Sequence, residues 1–373
     1  MSPFRTPISG WLVGTLLLVS LPAQAQRAGQ TALLPSDPAN WRTEETGEGV
    51  YAFIAPDGVT PIVSGNTIVI VGDSSVLVVD PGQFPSMARH QIAEIRRLTS
   101  RPVRYVVNTH WHPDHWLGNG EYAREFPGVT FIATPHTREQ MLSRAVRFIT
   151  PKYASDTRDV VVKMVETGKR PDGTPYSEIE RLYYGAALTQ FTGYVSELES
   201  ARVTLPDLLF RDEIILSLGG RDAQVKFLGR GNTGGDAVVF LPESRTLITG
   251  DLLVHPFPYG IGSFIGEWID TMKKLGAIDA ATIIPGHGAV QRDHAYLQQV
   301  TELLESLQSQ VRAAVRDSLS LADARRRVDL SAFKTRFCGD NVWCQFGFDG
   351  NFLRPALSRA YQEAREGRLK DEG

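Results

Sequence analysis

Apolar residues along the chain follow two rhythms. Short runs rich in Val, Ile and Leu, bounded by Gly, Pro, Asp and Asn, predict strands at residues 50–55, 66–71, 76–79, 103–107 and 129–133. Met87, Ile92, Ile95 and Leu98 instead recur at helical spacing and predict an amphipathic helix over 85–98, with a shorter one at 121–126. Strands alternating with helices in this way build a layered α/β architecture. Residues 136–204 break the alternation. Met141, Leu142, Val146, Phe148 and Ile149 keep helical intervals, a polar break follows at 169–175, and helical spacing resumes over 179–198. This predicts a helical insertion of two segments, read as an elaboration packed on the sheet, with a cap over the site or an oligomer contact as the sharper options. Strands return at 208–210, 214–216, 223–228, 237–241 and 246–249, and after a helix at 267–280 a last one stands at 282–284. A long amphipathic helix over 293–319 precedes a C-terminal helical extension, 321–373. The expected fold class is α/β, with a main domain over 49–320 made of two strand-rich halves flanking the insertion.

The N-terminus breaks the pattern in another way. Arg5 precedes an apolar run at 8–21, and Pro22-Ala23-Gln24-Ala25 offers a small-residue cleavage site before Gln26. The run is short for a membrane span. Residues 1–25 are therefore read as a signal peptide, leaving no stable membrane anchor and an exported protein, periplasmic or secreted. Residues 26–48 are polar and small and are expected to form a loosely ordered arm. In an oxidising compartment Cys338 and Cys344, the only cysteines, are expected to close a small disulfide loop, with two buried thiols as the other option.

Composition narrows the partner. A hydrophobic fraction of 42% and a charged fraction of 22% belong to a globular chain with a substantial core. The net charge of -3 gives no electrostatic ground for nucleic acid as a partner. Candidate chemistry is concentrated at the end of the 103–107 strand, where His110, His112, Asp114 and His115 follow one another. Imidazole and carboxylate are the ligands that zinc and similar divalent cations prefer. Two later loops add ligand types, Asp251 after the 246–249 strand and His287 between Gly286 and Gly288 after the 282–284 strand.

His110-x-His112-x-Asp114-His115, a glycine-rich turn ending in Gly235-Asp236, Gly250-Asp251 and Gly286-His287-Gly288, in that order and each after a strand, resemble the metallo-β-lactamase superfamily over residues 50 to 290. The resemblance implies a four-layer αββα sandwich, here with a helical insertion and a helical C-terminal extension, and a metal site at one edge between two similar halves. It implies one or two zinc ions, one held by His110, His112 and a third histidine, the other by Asp114, His115 and His287, with Asp251 able to bridge. The chain departs from the pattern in the turn 229–236, where Asn232 stands at the third histidine's position. An amide oxygen is a weaker zinc ligand than imidazole. Unequal sites are therefore expected: the Asp114/His115/Asp251/His287 site binds firmly and the other is weak or absent. His255 is the candidate substitute ligand, against a histidine packed on Pro256, Phe257 and Pro258. His90, His136 and His294 are read as structural or solvated.

The implied activity is that of an exported zinc-dependent hydrolase cleaving an activated acyl bond (amide, lactam, lactone, ester or thioester) through metal-activated water. Asp114 would orient the nucleophile and shuttle its proton, His112 is the other candidate base, and Asn232 could donate a hydrogen bond to substrate. A β-lactamase proper and a catalytically degenerate metal- or ligand-binding protein of the same fold are the alternatives.

Overall fold

The structure, a computed structural model, describes residues 37–56, 62–170 and 172–369. The segment 1–25, read as a signal peptide, lies outside the described residues, as do 26–36 of the expected arm. The first sheet runs in sequence order through β1 (Arg42–Gly47), β2 (Val50–Ile54), β3 (Thr67–Val71), β4 (Val76–Val79), β5 (Val103–Val107), β6 (Thr130–Ala133) and β7 (Leu208–Leu209). Pairing is antiparallel from β1 to β4 and parallel from β4 to β7. The second sheet holds β8 (Glu213–Ser217), β9 (Asp222–Phe227), β10 (Ala237–Leu241), β11 (Thr246–Ile248) and β12 (Thr282–Ile284), antiparallel except for the parallel pair β11 and β12.

Side chains of a strand point alternately to opposite faces, and here both faces of the central strands are apolar. From β3, Ile68 and Ile70 pack inward with Leu77, Val79, Val225, Val239 and Ile248, which forms the core between the sheets. Val69 points outward with Val76 and Val78 against Ile92 and Ile95 of the helix Pro85–Leu98. On the far side, Val238 and Leu247 meet Trp268 and Met272 of the helix Ile265–Gly276 and Leu303 and Leu304 of Ala295–Arg316. The order of layers is helix, sheet, sheet, helix, the αββα sandwich expected. The C-terminal extension adds Leu321–Arg327, Ser331–Cys338, Val342–Gly347, a π-helical turn Phe348–Leu353 and Arg354–Glu366. Cys338 and Cys344 are joined in a disulfide, as expected.

Three elements differ from expectation. The second half of the arm is not loose: Arg42–Gly47 is an edge strand paired with β2. Its polar sequence hides it, because an edge strand is held by backbone bonds and needs no apolar face. The insertion holds three helices, Pro135–Ser143, Pro151–Thr167 and Glu178–Ser200. Pro151 divides its first part, since proline lacks the N–H a helix interior requires and favours a first turn; the Thr150 side chain caps the new start. A further short helix, Pro113–Trp116, carries Asp114 and His115. The insertion docks beside the histidine loop: Glu197 accepts from the Ser86 amide at 3.0 Å, and Tyr194, Leu198, Met141 and Ile149 share a cluster with Trp111. Among the described residues no helix is long and apolar enough to cross a membrane.

The sheets meet at the site through Asn66. Its side chain donates to the carbonyls of Pro285 (3.0 Å) and Gly288 (2.9 Å) and accepts from the Ala55 amide (3.1 Å), all buried. Asn66→Ala leaves three buried backbone groups unpaired and is expected to cost about 2–4 kcal/mol. Urea unfolding checks this, and an unchanged midpoint would contradict it.

Candidate metal centre

Strand ends build the site. Parallel β4 and β5 deliver Asp80 and the His110–His115 loop, parallel β11 and β12 deliver Asp251 and His287, and the β9–β10 loop delivers Asn232. His110, Asp114, His115, Asp251 and His287 are all buried. Gly286 allows the β11 and β12 loops to touch, because a side chain there would start 2.1 Å from Asp251 Oδ1.

Four acceptor atoms converge. His115 Nε2 lies 3.2 Å from His287 Nε2, 3.4 Å from Asp114 Oδ2 and 3.3 Å from Asp251 Oδ1. His287 Nε2 lies 3.1 Å from Asp114 Oδ2 and 3.5 Å from Asp251 Oδ1. A tetrahedron with metal–ligand bonds of about 2.0–2.1 Å has edges of about 3.3–3.4 Å. The five distances given among the four atoms are close to that edge, and Asp114, His115 and His287 group as residues that could hold a metal ion. Beside them, His110 Nε2 faces His112 Nδ1 at 3.0 Å and Asp251 Oδ2 at 3.6 Å. Asp251 thus offers one oxygen to each group, as a bridging carboxylate does.

Unsatisfied atoms agree with a cation there. Asp251 Oδ1 and Asn232 Oδ1 are buried without a hydrogen bond, and an unpaired buried acceptor is costly unless an ion or donor completes it. The Asn232 amide is oriented by Nδ2 donating to the Tyr259 carbonyl at 2.8 Å, and the Tyr259 ring packs on His287 at 5.4 Å. With one N–H engaged and Oδ1 open, Asn232 offers an acceptor to a cation and keeps its second N–H as a donor.

Charge is balanced around His115. Burial opposes its protonation, but Asp251, Asp114 and Asp80 together outweigh burial and hold its pKa well above the usual imidazole range. Burial and the neighbouring His115 push His110 well below that range. Burial likewise opposes charge on Asp114 and Asp251, yet His115 and His287 keep both carboxyls well below the usual carboxylate range.

Asp80, which follows β4, was not among the residues expected at the site. Its Oδ2 lies 2.8 Å from His115 Nδ1 and accepts from Thr109 Oγ1 at 2.6 Å, while Oδ1 accepts the Thr109 amide at 2.8 Å. Thr109 Oγ1, having donated its proton, stands 3.0 Å from His110 Nδ1 as the acceptor. One carboxylate therefore turns the Nε2 atoms of two histidines inward, as outer partners of metal ligands do. Its backbone holds φ at 55°, unusual outside glycine. A carboxylate ending the strand parallel to β5 was the available signal, since ends of adjacent parallel strands share an edge.

His255 joins neither group. Its amide donates to the His287 carbonyl at 3.1 Å and its ring packs on Tyr296 at 5.2 Å. His90 lies by Glu94 on the helix surface, His294 lies 3.0 Å from the Ala280 carbonyl, and His136 packs against Gly234.

The sequence profile described as "Metallo-beta-lactamase superfamily" matches residues 60–287. A linear primary-alkylsulfatase from a Pseudomonas strain is 25% identical over 232 residues, 59% of this chain and 40% of that protein. A metallo-beta-lactamase type 2 from Bacteroides fragilis is 31% identical over 90 residues, 22% of this chain and 36% of that protein. The chain thus spans less than half the length of these curated relatives. The solved structure of a metallo-beta-lactamase from Pontibacter korlensis is similar with a TM-score of 0.48 at 18% identity, covering 71% of this chain and 99% of that one.

Two outcomes follow from the geometry. Asp80→Asn removes the acceptor that orients His115 and is expected to weaken metal binding about 10- to 100-fold; competition with a zinc chelator measures it, and unchanged affinity would contradict the role. The carboxylates around His115 favour its protonated form in the metal-free protein, so a cation must compete with that proton. Zinc uptake is expected to release protons and to weaken as pH falls; calorimetry in buffers of different ionisation enthalpy reads this, and pH-independent uptake would refute it.

Proposed function

Because the chain belongs to the metallo-beta-lactamase superfamily, we propose that it is an exported zinc-dependent hydrolase acting on an activated acyl bond of a small molecule. The observation that carries this reading is the convergence of Asp114, His115, Asp251 and His287, whose facing atoms lie 3.1–3.5 Å apart in five of their pairings. A divalent cation held by these four residues would supply the activation of water, whose pKa it would lower from about 15.7 towards 7. The chain's own residues do the rest. Asp114 is the most exposed of the four, with 12% of its side chain open, so a carboxylate oxygen can face substrate. Held ionised by His115 and His287, it takes a proton from the attacking water and returns it to the leaving group. His110 and His112, with Asp251, form a second metal position, weaker because Asn232 supplies an amide in place of an imidazole. Export is supported by the apolar run before Ala25 and by the Cys338–Cys344 bridge, which suits an oxidising compartment.

A second reading, hydrolysis of a sulfate ester, draws on the alkylsulfatase, whose match is much longer than that to the lactamase. The same residues serve either, because both reactions need activated water and a stabilised leaving oxygen. A panel of chromogenic esters, a lactone, a thioester, a cephalosporin and an alkyl sulfate separates the readings. Turnover of at least one substrate is expected, abolished by chelation and restored by zinc. Asp114→Asn should lower kcat about 10²- to 10⁴-fold. Tightly held zinc with no turnover of any of them would instead favour a binding protein.

A further inference from the structure

The family match ends at residue 287, yet the helices beyond it reach back to the site at two points. The first is Arg230, two residues before Asn232. Its guanidinium stacks 3.9 Å from the Phe264 ring, donates through Nε to Glu267 Oε2 at 3.0 Å and through Nη2 to Glu267 Oε1, and also donates to the Leu369 carbonyl at 2.9 Å. Arg368 holds Glu267 from the other side at 3.0 Å and 3.2 Å. The end of the chain is thereby fastened to the loop that carries Asn232.

The second point is Gly260, next to Tyr259. Its amide donates to the Asn351 carbonyl at 2.8 Å. In a regular helix that carbonyl would accept from residue 355, but Pro355 has no N–H to give. The π-helical turn Phe348–Leu353 therefore turns a backbone acceptor towards Gly260. Only glycine fits, since a Cβ there would lie 2.6 Å from the Ala356 Cβ and 3.0 Å from the Phe352 carbonyl oxygen.

The two contacts brace opposite ends of one hydrogen bond, from Asn232 Nδ2 to the Tyr259 carbonyl. That bond sets where the buried, unpartnered Asn232 Oδ1 points. We infer that the C-terminal extension is part of the metal centre's framework: Arg230 and Gly260 are positioning residues that aim the Asn232 amide oxygen at the His110–His112 position. The inference rests on the metal-site reading above and adds that the second position is completed by an amide held from the C-terminus.

Cobalt(II) titration of the full mature chain, followed by visible absorption and metal analysis, tests it. Wild type should take up a first equivalent tightly and a second weakly. Arg230→Gln and Gly260→Ala should leave the first equivalent and its spectrum unchanged, weaken the second about 10-fold or more, and alter its absorption. Arg230→Gln removes no apolar core side chain and leaves Glu267 paired with Arg368, so it preserves a testable fold even if Gly260→Ala does not. Lys334→Met, which breaks the Lys334–Asp349 pair in the same extension, should change neither equivalent. An unchanged second equivalent in Arg230→Gln would overturn the inference, as would an equal shift in the Lys334→Met control. Wild type that binds a single cobalt even at millimolar concentration would overturn it while leaving the four-acceptor site standing. Wild type that binds none would overturn the metal-site reading itself.

Discussion

Three buried carboxylates around His115 are the constraint on which the rest of the structure depends. Asp80, Asp114 and Asp251 all reach its ring within 3.4 Å, and water is largely excluded from the three. In a medium of low effective dielectric such a cluster is stable only with positive charge at its centre. A proton on His115 supplies some of that charge in the metal-free protein, and a divalent cation would supply more. The surrounding architecture serves this arrangement. The parallel strand pairs end at one edge, Gly286 lets the β11 and β12 loops touch, Asp80 accepts a left-handed backbone, and Asn66 ties the loop of one sheet to the strands of the other.

Much of the site was legible because its ligands are local. His110, His112, Asp114 and His115 crowd one loop, and a strand rhythm before them says where that loop lies. Asp251 and His287 could be added because each follows a strand and is flanked by glycine, in an order that resembles a known family. Asp80 could not, because its role depends on β4 lying beside β5 in parallel, and periodicity along a single strand carries no record of its neighbour. Asn232 was visible as a departure, but which of its amide atoms faces the site depends on the Tyr259 carbonyl, far along the chain.

The fold was legible to the same depth. Continuous apolar runs marked the central strands because both their faces are buried, whereas the edge strand β1 is paired through its backbone and left no apolar signature. The extension's helices could be read from their spacing, but not what they pack against. Its packing changes the reading of the asymmetry between the two metal positions. The four-acceptor group is built within the residues that match the family, whereas the His110–His112 position leans on an asparagine braced from residues 348–369.

Anomalous diffraction at the zinc edge, from crystals of the mature protein loaded with one equivalent of zinc, tests the central claim most directly. The account predicts a strong peak bounded by Asp114, His115, Asp251 and His287, and little or no density between His110 and His112. A peak confined to the His110–His112 position, or no peak at either, would contradict it.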